Sequence, residues 1–427
     1  MKSQSPKSGE KTKKAVPNRV KTAALIQSKS LALNGGKPVR NPHDFLLFGA
    51  PALGRAEIAG VVDSMRRRWI GTGPKVARFE KEFAEYQGAE YAVAVNSCTA
   101  ALHLSMVALG LGPGDEVLVP ALTFCATANA VLHAGATPIP VDVLPDTMNI
   151  NVKDAEQKIT KRTRAIIPVH FAGRPCAMHE IMALAKRHRL QIVEDCAHAI
   201  ETRYYDQPAG TFGELGCFSF YATKNLTTGE GGMLLTSQKA RADRLKRLAL
   251  HGMSQDAWKR FGDEGYKHYD VVELGYKYNM TDMAAGIGLP QLAALEKNWK
   301  KRKAIWAQYQ KAFSDLPLTL PAEPLVYERH AYHLYTPLIQ RNSGITRDQV
   351  LSALTAEGIG VGVHYRSLCD HPLYRKRLGW KRSDAPVAGR IGDQTLSLPL
   401  SPSMNQKDVL DVITAMRKVL GGKSKTT

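Results

Sequence analysis

The sequence predicts an α/β protein built on a mainly parallel sheet with helices on both faces. Short apolar segments alternate with segments of helical periodicity through the first half of the chain, which is typical of such a sheet. The apolar segments are short and continuous, as strands are when both of their faces are buried. With 427 residues, 44% of them hydrophobic, the chain is also long enough for two or three domains.

The first elements follow from apolar spacing and from helix-breaking residues. Residues 55–68 have apolar side chains at helical spacing, and the glycines and proline of residues 69–74 end this helix. Phe79, Phe83 and Tyr86 indicate a second helix. The alternating elements that follow are strands at 91–95, 116–119, 138–141, 165–169 and 191–194 and helices at 99–109, 126–133 and 178–187.

A smaller α+β domain is predicted for the C-terminal part. A long helical pattern begins at Thr281, and Pro290 should kink it or set a local boundary. The elements expected after it are strands at 332–338 and 360–364 and helices at 346–357 and 406–420. The predicted divisions of the chain are a disordered basic extension (1–43), a large α/β domain (44–295), a small α+β domain (296–421) and a frayed tail (422–427).

The net charge of +19 is unevenly distributed. Residues 1–43 carry about half of the excess and almost no acid, as a disordered, solubilising extension does. A role in contacting nucleic acid or an anionic membrane is the alternative, and nucleic acid is the less expected partner. We expect that deleting the extension up to about Arg40 leaves turnover intact. The basic body of the protein would also suit a polyanionic substrate such as a nucleotide diphosphate.

Composition excludes several other classes of protein. No apolar run approaches the roughly 20 residues that span a bilayer, and the N-terminus lacks the apolar core of a secretory signal. The six cysteines are scattered and form no CxxC pair, so neither a zinc site nor a disulfide framework is indicated. We expect a protein of a reducing, cytoplasmic compartment with no bound metal.

Residues 193–235 carry the most informative combination of side chains. One apolar strand ends at Asp195, and a second, 217–220, leads to Lys224 and then to the glycine run 229–232. Ligands of parallel sheets bind at the carboxyl ends of strands. A lysine and a carboxylate there suit pyridoxal phosphate, whose aldehyde binds a lysine and whose ring nitrogen needs an anion. The alternatives are that Asp195 caps a helix and that Lys224 is one surface lysine among many.

Other candidates follow strands in the same way. Ser97, Cys98 and Thr99 lie between a strand and a helix, where backbone N–H groups bind anions, although these residues could simply cap the helix. Ser219 could donate to a phosphate oxygen or belong to a turn. Phe124 could stack on a flat ring or lie in the core.

The histidines are weaker candidates. His198 lies three residues after Asp195 and could donate to a ring hydroxyl or be structural. His333 and His364 are candidates only by their region of the chain. The sequence contains no nucleophile elbow, P-loop or HExxH motif.

Several segments together resemble one family. They are 69–74 (WIGTGP), 96–102 (NSCTAAL), 120–130 (PALTFCATANA), 193–199 (VEDCAHA), 217–232 (CFSFYATKNLTTGEGG), 275–289 (GYKYNMTDMAAGIGL), 358–365 (GIGVGVHY) and 396–399 (LSLP). In this order they resemble the sugar-nucleotide aminotransferases of the DegT/DnrJ/EryC1/StrS family over nearly all of residues 45–420. The resemblance implies a fold-type-I enzyme that uses pyridoxal 5′-phosphate and works as a homodimer with shared active sites.

The resemblance also implies roles for individual residues. Lys224 corresponds to the lysine that forms the Schiff base and moves the proton, and Asp195 to the partner of the ring nitrogen. His198 falls at a ring-oxygen contact and Phe124 at the aromatic that stacks on the ring. The phosphate-binding positions are Ser97, Cys98, Thr99 and Ser219, where Cys98 replaces a glycine of many members. Asn279 and Lys277 fall in a segment that reaches the neighbouring subunit's site, and Thr72 and His364 border the substrate.

The implied reaction moves an amino group from glutamate to a nucleotide-linked keto-sugar, to make an amino sugar for a glycan or polysaccharide. The passage 251–258 (HGMSQDAW) is similar to members that act on 4-keto sugars, which favours C4. One alternative is a sugar dehydratase of the same fold, a branch in which histidine replaces the lysine. The other is a non-catalytic regulatory protein that keeps the fold.

Overall fold

The computed structural model of the protein describes residues 29–254 and 268–421. Most of the predicted basic extension, the predicted tail 422–427 and the last part of the 251–258 passage therefore lie outside the described residues. Within the described ranges, no helix combines the length and the apolar character that crossing a membrane requires.

Strands and helices alternate between residues 91 and 195, four further strands precede the seventh helix, and helices predominate among the described residues that follow. The helices are α1 (Arg55–Arg66), α2 (Pro74–Gln87), α3 (Cys98–Ala108), α4 (Cys125–His133), α5 (Val152–Gln157), α6 (Met178–His188), α7 (Lys239–Ala249), α8 (Asp282–Ala293), α9 (Leu295–Phe313), α10 (Arg347–Ala356), α11 (Pro372–Leu378), α12 (Pro386–Gln394) and α13 (Gln406–Val419). The strands are β1 (Tyr91–Val95), β2 (Glu116–Pro120), β3 (Thr137–Val141), β4 (Thr163–Ile166), β5 (Gln191–Asp195), β6 (Arg203–Tyr204), β7 (Gln207–Pro208), β8 (Leu215–Ser219), β9 (Gly232–Thr236), β10 (Leu318–Thr319), β11 (Glu328–Arg329) and β12 (Leu338–Ile339).

Seven strands form one sheet in the order β1-β9-β8-β5-β4-β2-β3. Only β9 runs antiparallel to its neighbours, and the other six strands are mutually parallel. Helices α2 to α4, α6 and α7 supply apolar side chains that pack around the sheet. The predicted α/β fold with a mostly parallel sheet is therefore confirmed. Because the six parallel strands end at the same edge of the sheet, the side chains that follow them can meet there.

The helical pattern that begins at Thr281 is two helices, since α8 ends shortly after Pro290 and α9 begins at Leu295, as the local boundary expected at this proline allows. The strands predicted after it differ. Residues 332–337 and 360–364 are not regular strands, since they make only isolated bridges such as Tyr335 to Leu398, and only Leu338 begins a short strand, β12. The prolines at 337 and 399 lack the N–H that a longer ladder would need.

Residues 29–43 belong to the fold, so that part of the predicted disordered extension is wrong. Leu31 is fully buried in a hydrophobic core with side chains of α9, α10 and α13. The buried Arg40 guanidinium donates to the carboxylates of Asp44, Asp408 and Asp411 at 2.7, 2.7 and 2.9 Å. The lysine-rich and glycine-rich composition of residues 1–43 gives no sequence signal that Leu31 is buried or that Arg40 is ion-paired.

Truncation to Arg40 would remove the buried Leu31, so we expect it to lower stability, while its effect on turnover stays a prediction. We now expect removal of residues 1–45 to lower the free energy of unfolding by about 2–5 kcal/mol, the usual range for losing one buried leucine side chain. Removal of residues 1–28 keeps every contact made among the described residues and is the matched control. Denaturant titration of both truncations tests this, and equal stability of the two proteins would contradict it.

Candidate active site

A cavity of about 450 Å³ opens at the edge where the parallel strands end. It lies between β5, β8, the start of α3 and the segment around His364. The predicted site residues that line it are Ser97, Cys98, Thr99, Phe124, Asp195, His198, Ser219, Lys224 and His364. Residues that are far apart in the sequence therefore meet in one place, as the strand-end argument predicts.

Lys224 follows β8 in a turn, where its N–H donates to the Tyr221 carbonyl at 2.9 Å. The side chain borders the cavity and is half-buried. Desolvation lowers the pKa of Lys224 to about 8, although the nearby Cys98 and Asp195 act in the opposite direction. A substantial fraction of the amine is therefore neutral, and nucleophilic, slightly above neutral pH.

Asp195 ends β5, and its carboxylate is held from two sides. Thr127 Oγ1 donates to Oδ2 at 2.9 Å, and the Ala197 N–H donates to Oδ1 at 3.1 Å. Burial raises the pKa of Asp195, while these two hydrogen bonds and the Lys224 amine oppose the rise. Asp195 precedes no regular helix and caps none among the described elements, so the capping alternative is wrong.

The start of α3 offers a site for an anion. Ser97 caps the helix by accepting from the Ala100 N–H at 3.1 Å, and the first N–H groups of a helix have no acceptor within it. Those of Cys98 and Thr99 therefore remain to bind a ligand. Ser97 thus fulfils both of its alternative roles, capping the helix and bordering the cavity.

Strand β9 approaches the same helix start very closely. A Cβ atom at Gly232 would lie 2.5 Å from the Ser97 carbonyl carbon and 2.7 Å from the Cys98 nitrogen. Only glycine therefore lets β9 pass directly beneath the anion site.

Two aromatic rings and one histidine form another wall of the cavity. Phe124 is 57% exposed, so it does not lie in the core, and its ring centroid is 6.0 Å from that of Tyr365. His198 Nδ1 accepts from the Ala172 N–H at 3.2 Å, so in the neutral ring the hydrogen is on Nε2. That Nε2 lies 3.1 Å from the Tyr365 hydroxyl and is a donor at the cavity wall.

Burial keeps the histidines around Lys224 neutral. Desolvation, followed by the Lys224 charge, lowers the pKa of His364 to about 4 and lowers that of His198 well below its ordinary value. His364 Nδ1 is 2.7 Å from the Ser397 hydroxyl. No histidine of this cluster adds a positive charge near the lysine at neutral pH, so desolvation, and not a neighbouring cation, is what lowers the pKa of the amine.

Three residues predicted from the resemblance, Thr72, Lys277 and Asn279, lie outside this cavity. Asn279 donates to the Thr72 hydroxyl at 2.7 Å, Thr72 donates to the Met280 carbonyl at 2.6 Å, and Lys277 is exposed. Within one chain the structure does not bring them to Lys224.

Two residues of the site were missed from the sequence. Tyr365 lines the cavity, although it follows His364 directly in a segment already recognised. Thr127 bonds Asp195 from within α4, and its hydroxyl is 2.9 Å from that of Thr123. The only available signal was the spacing of four residues between the two threonines, which places both on one face of a helical turn.

Beside Asp195 on the same strand, Glu194 has a structural role. It forms the one group of possible metal ligands in the described part of the chain, with His170 and Cys196. Its carboxylate already accepts from His170 Nε2 at 3.0 Å and from the N–H groups of residues 210, 212 and 213. These bonds fix the turn that leads into β8 and leave no free position for a cation.

The donor set of the cavity fits pyridoxal phosphate. A desolvated amine suits the aldehyde, a buried carboxylate suits the ring nitrogen, and the open helix start with Ser219 suits the phosphate. All of these groups line the same cavity. Thr127 holds the carboxylate in place by its hydrogen bond to Asp195.

Comparisons with known proteins identify one family of aminotransferases. The profile of the DegT/DnrJ/EryC1/StrS aminotransferase family matches residues 51–417. The Bacillus subtilis spore coat polysaccharide biosynthesis protein SpsC is 46% identical over 388 residues, which cover 90% of this chain and 99% of SpsC. Spr1654 from Streptococcus pneumoniae, described as a sugar aminotransferase and solved in its PLP-form, superposes with a TM-score of 0.82 at 32% identity, covering 88% and 98–99% of the two chains.

A further solved structure is DesI in the presence of its TDP-sugar product. It superposes with a TM-score of 0.81 at 30% identity, covering 92% of this chain and 96% of DesI. The predicted family and the predicted class of enzyme, a sugar aminotransferase, are confirmed. The motifs, the fold and these comparisons agree, and the chain belongs to the DegT/DnrJ/EryC1/StrS aminotransferase family.

Proposed function

We propose that this aminotransferase moves an amino group from glutamate to a nucleotide-linked keto-sugar, to supply an amino sugar for a surface glycan or polysaccharide. The observation that carries the proposal is that the Lys224 amine and the Asp195 carboxylate share one cavity with the open start of α3. The TDP-sugar product of DesI and the polysaccharide pathway named for SpsC support the substrate class. The cytoplasmic location expected from the scattered cysteines remains a prediction.

The PLP- and PMP-forms of Spr1654 support the expected cofactor, pyridoxal 5′-phosphate. When bound, this group supplies an aldehyde for the migrating nitrogen and a ring that accepts an electron pair from the reacting carbon. In our proposal Lys224 holds the aldehyde and Asp195 keeps a proton on the ring nitrogen. Ser97, Cys98, Thr99 and Ser219 bind the phosphate.

Lys224 also moves the proton of the reaction. Once released from the cofactor, its amine can take a proton from the reacting carbon and return it as a general acid–base catalyst. A pKa of about 8 in the ligand-free protein suits both directions near neutral pH. His198 donates from Nε2 to the ring oxygen, and Phe124 covers the ring at the cavity wall.

The lowered pKa of Lys224 gives a testable pH dependence. Below pH 8 most of the amine is protonated and unreactive, so cofactor loading of the apo-protein should speed up with pH and level off above 8. An amine with the ordinary pKa of about 10.4 would keep gaining reactivity beyond pH 10. Stopped-flow absorbance across this range tests it, and a rate that still rises at pH 10 would contradict the proposed environment.

The acceptor and the donor are tested together. Glutamate labelled with ¹⁵N and a panel of UDP-, dTDP- and GDP-linked keto-sugars should give one labelled amino sugar by mass spectrometry. We place the new nitrogen at C4, because of the passage 251–258, of which residues 255–258 lie outside the described residues. No labelled product from any sugar of the panel would reject the proposed substrate class. Retention of Lys224 disfavours the dehydratase alternative.

We also propose a homodimer with shared active sites. The apolar stripe of α1 faces away from its own chain, with Ile58 and Met65 at 65% and 58% exposure. The opposite face of α1 packs on α8 so closely that a Cβ at Gly60 would lie 2.0 Å from the Gly286 carbonyl oxygen. Trp69 and Ile70 continue the exposed apolar surface towards Thr72. A second copy on this surface would bring the partner's Asn279 towards Lys224.

Mixing two inactive variants tests the shared site. In a Lys224→Ala/Asn279→Ala heterodimer, one of the two sites would combine an intact Lys224 with an intact Asn279. Random exchange makes half of the dimers heterodimers, so the mixture should recover about a quarter of wild-type activity. Full activity of Asn279→Ala alone, or no recovery on mixing, would reject the assignment of Asn279 to the partner's site.

A further inference from the structure

A chain of buried polar side chains connects α9 to the histidines beside Lys224. Arg302 on α9 pairs with the Glu201 carboxylate, and each residue is only 1% exposed. Asn225, the residue after Lys224, donates from Nδ2 to Glu201 Oε2 at 2.8 Å. The other end of the Asn225 amide, Oδ1, lies 2.9 Å from His333 Nδ1.

The donor and acceptor capacities of these side chains determine where their hydrogens lie. The Glu201 carboxylate accepts from arginine, so the Asn225 amide must turn its NH₂ group towards it. The same NH₂ group donates to the Ala331 carbonyl at 3.1 Å. Asn225 Oδ1 can only accept, and His333 must therefore carry a hydrogen on Nδ1. Burial, followed by the Lys224 charge, lowers the pKa of His333 well below its ordinary value, so Nε2 is unprotonated.

His333 in turn packs on His198. Their ring centroids are 4.4 Å apart with the planes tilted by 33°. The Ala172 N–H fixes Nδ1 of His198 as an acceptor, and the His333 ring prevents His198 from turning away from the cavity. A charged or rotating imidazole at His333 would disturb both this packing and the nearby lysine.

We propose that Arg302, Glu201 and Asn225 are positioning residues that fix one hydrogen arrangement of His333, so that His333 holds His198 against the cofactor ring. The last step rests on the proposed function, because it uses the role of His198. The hydrogen arrangement does not depend on that role. The arrangement also joins α9 to the loop that carries Lys224, since Arg302 and Asn225 meet on the same carboxylate.

The experiment compares two buried ion pairs in the full-length protein. Glu201→Met/Arg302→Met replaces the Glu201–Arg302 pair by apolar groups of similar size, a change that buried pairs often tolerate, and removes the carboxylate that accepts from the Asn225 amide. Glu328→Met/Arg174→Met replaces a second ion pair, 2.7 Å apart and with both side chains 7% exposed, outside the cavity lining and is the control. With ¹⁵N-labelled histidine, the His333 signals are identified by their absence in His333→Gln.

In the wild type we expect His333 to show a protonated Nδ1 and an unprotonated Nε2. The Glu201/Arg302 variant should lose this single form, and its kcat should fall about tenfold, as for other residues that support a reactive group, with the KM for the amino donor unchanged. The control should keep both the spectrum and kcat. If the Glu201/Arg302 variant does not fold, Asn225→Leu breaks the same chain and keeps the ion pair.

Three results would overturn the proposal. They are a wild-type His333 with its hydrogen on Nε2, an unchanged His333 spectrum in the variant, and a changed spectrum with wild-type kcat. The histidine spectrum is recorded without turnover, so a negative spectral result cannot be confused with a failure of the proposed substrate class. The third result rejects the link to His198 and leaves the aminotransferase proposal intact.

Discussion

Lys224→Ala is expected to lose the visible absorbance of the purified protein and to lower kcat by about 10²–10⁴-fold, the range for removing a positioned acid–base group. The alanine side chain can neither bind the aldehyde nor move the proton. Overall folding should persist, because the lysine side chain lies at a cavity wall and is only half-buried. Absorbance spectra and steady-state rates with the active keto-sugar measure both effects.

The matched control is Lys158→Ala. This lysine is also partly buried, and its ammonium donates to Pro140, Asp154 and Asp384 at 2.7–2.8 Å, outside the cavity lining. Its replacement should leave the absorbance and kcat unchanged. Borohydride reduction of the loaded wild type, followed by peptide mapping, should place the label at position 224. A label on another residue, or none, would remove the chemical basis of the proposed reaction.

Asp195→Asn is expected to bind the cofactor and to lower kcat by about 10²–10³-fold, as the loss of one preorganised electrostatic group does. The amide has nearly the shape of the carboxylate but carries no negative charge, so it cannot keep a proton on the ring nitrogen. Loss of that proton weakens the ring as an acceptor of the electron pair. Cofactor affinity and kcat, measured on the same preparation, separate binding from chemistry.

Asp142→Asn is the control for this substitution. Asp142 is also buried, and its carboxylate accepts from the N–H groups of Val387 and Ala388 at 2.9 and 2.8 Å. It lies outside the cavity lining, so its replacement should affect stability more than kcat. A wild-type kcat in Asp195→Asn, or an equal loss of kcat in the control, would refute the role given to Asp195.

The sequence predicted most of the cavity because its members follow strands. Asp195, Ser219 and Lys224 could be placed together from the rule that parallel strands end at one edge. Phe124 illustrates the limit of this rule. An aromatic residue after a strand fits a core or a wall equally well, and only the fold shows that the ring is open to the cavity.

What could not be predicted depends on contacts across long sequence separations. The burial of Leu31 requires the C-terminal helices, and the bond of Thr127 to Asp195 requires the first turn of α4 to lie near the end of β5. The periodicity of residues 55–68 predicted α1 correctly. It could not show that the apolar stripe faces outward, since a stripe that binds a second chain has the same spacing as one that packs inside.

The passage of β9 beneath the start of α3 has a consequence for attempts to change the cofactor or the substrate by grafting. The glycine at 232 belongs to a different part of the sequence from the turn above it, yet their atoms define one surface. A transplanted NSCTAAL segment would therefore keep its anion-binding geometry only if the recipient strand also had glycine at the position of Gly232. Relatives suitable as donors are those whose strand and turn can be exchanged as a pair.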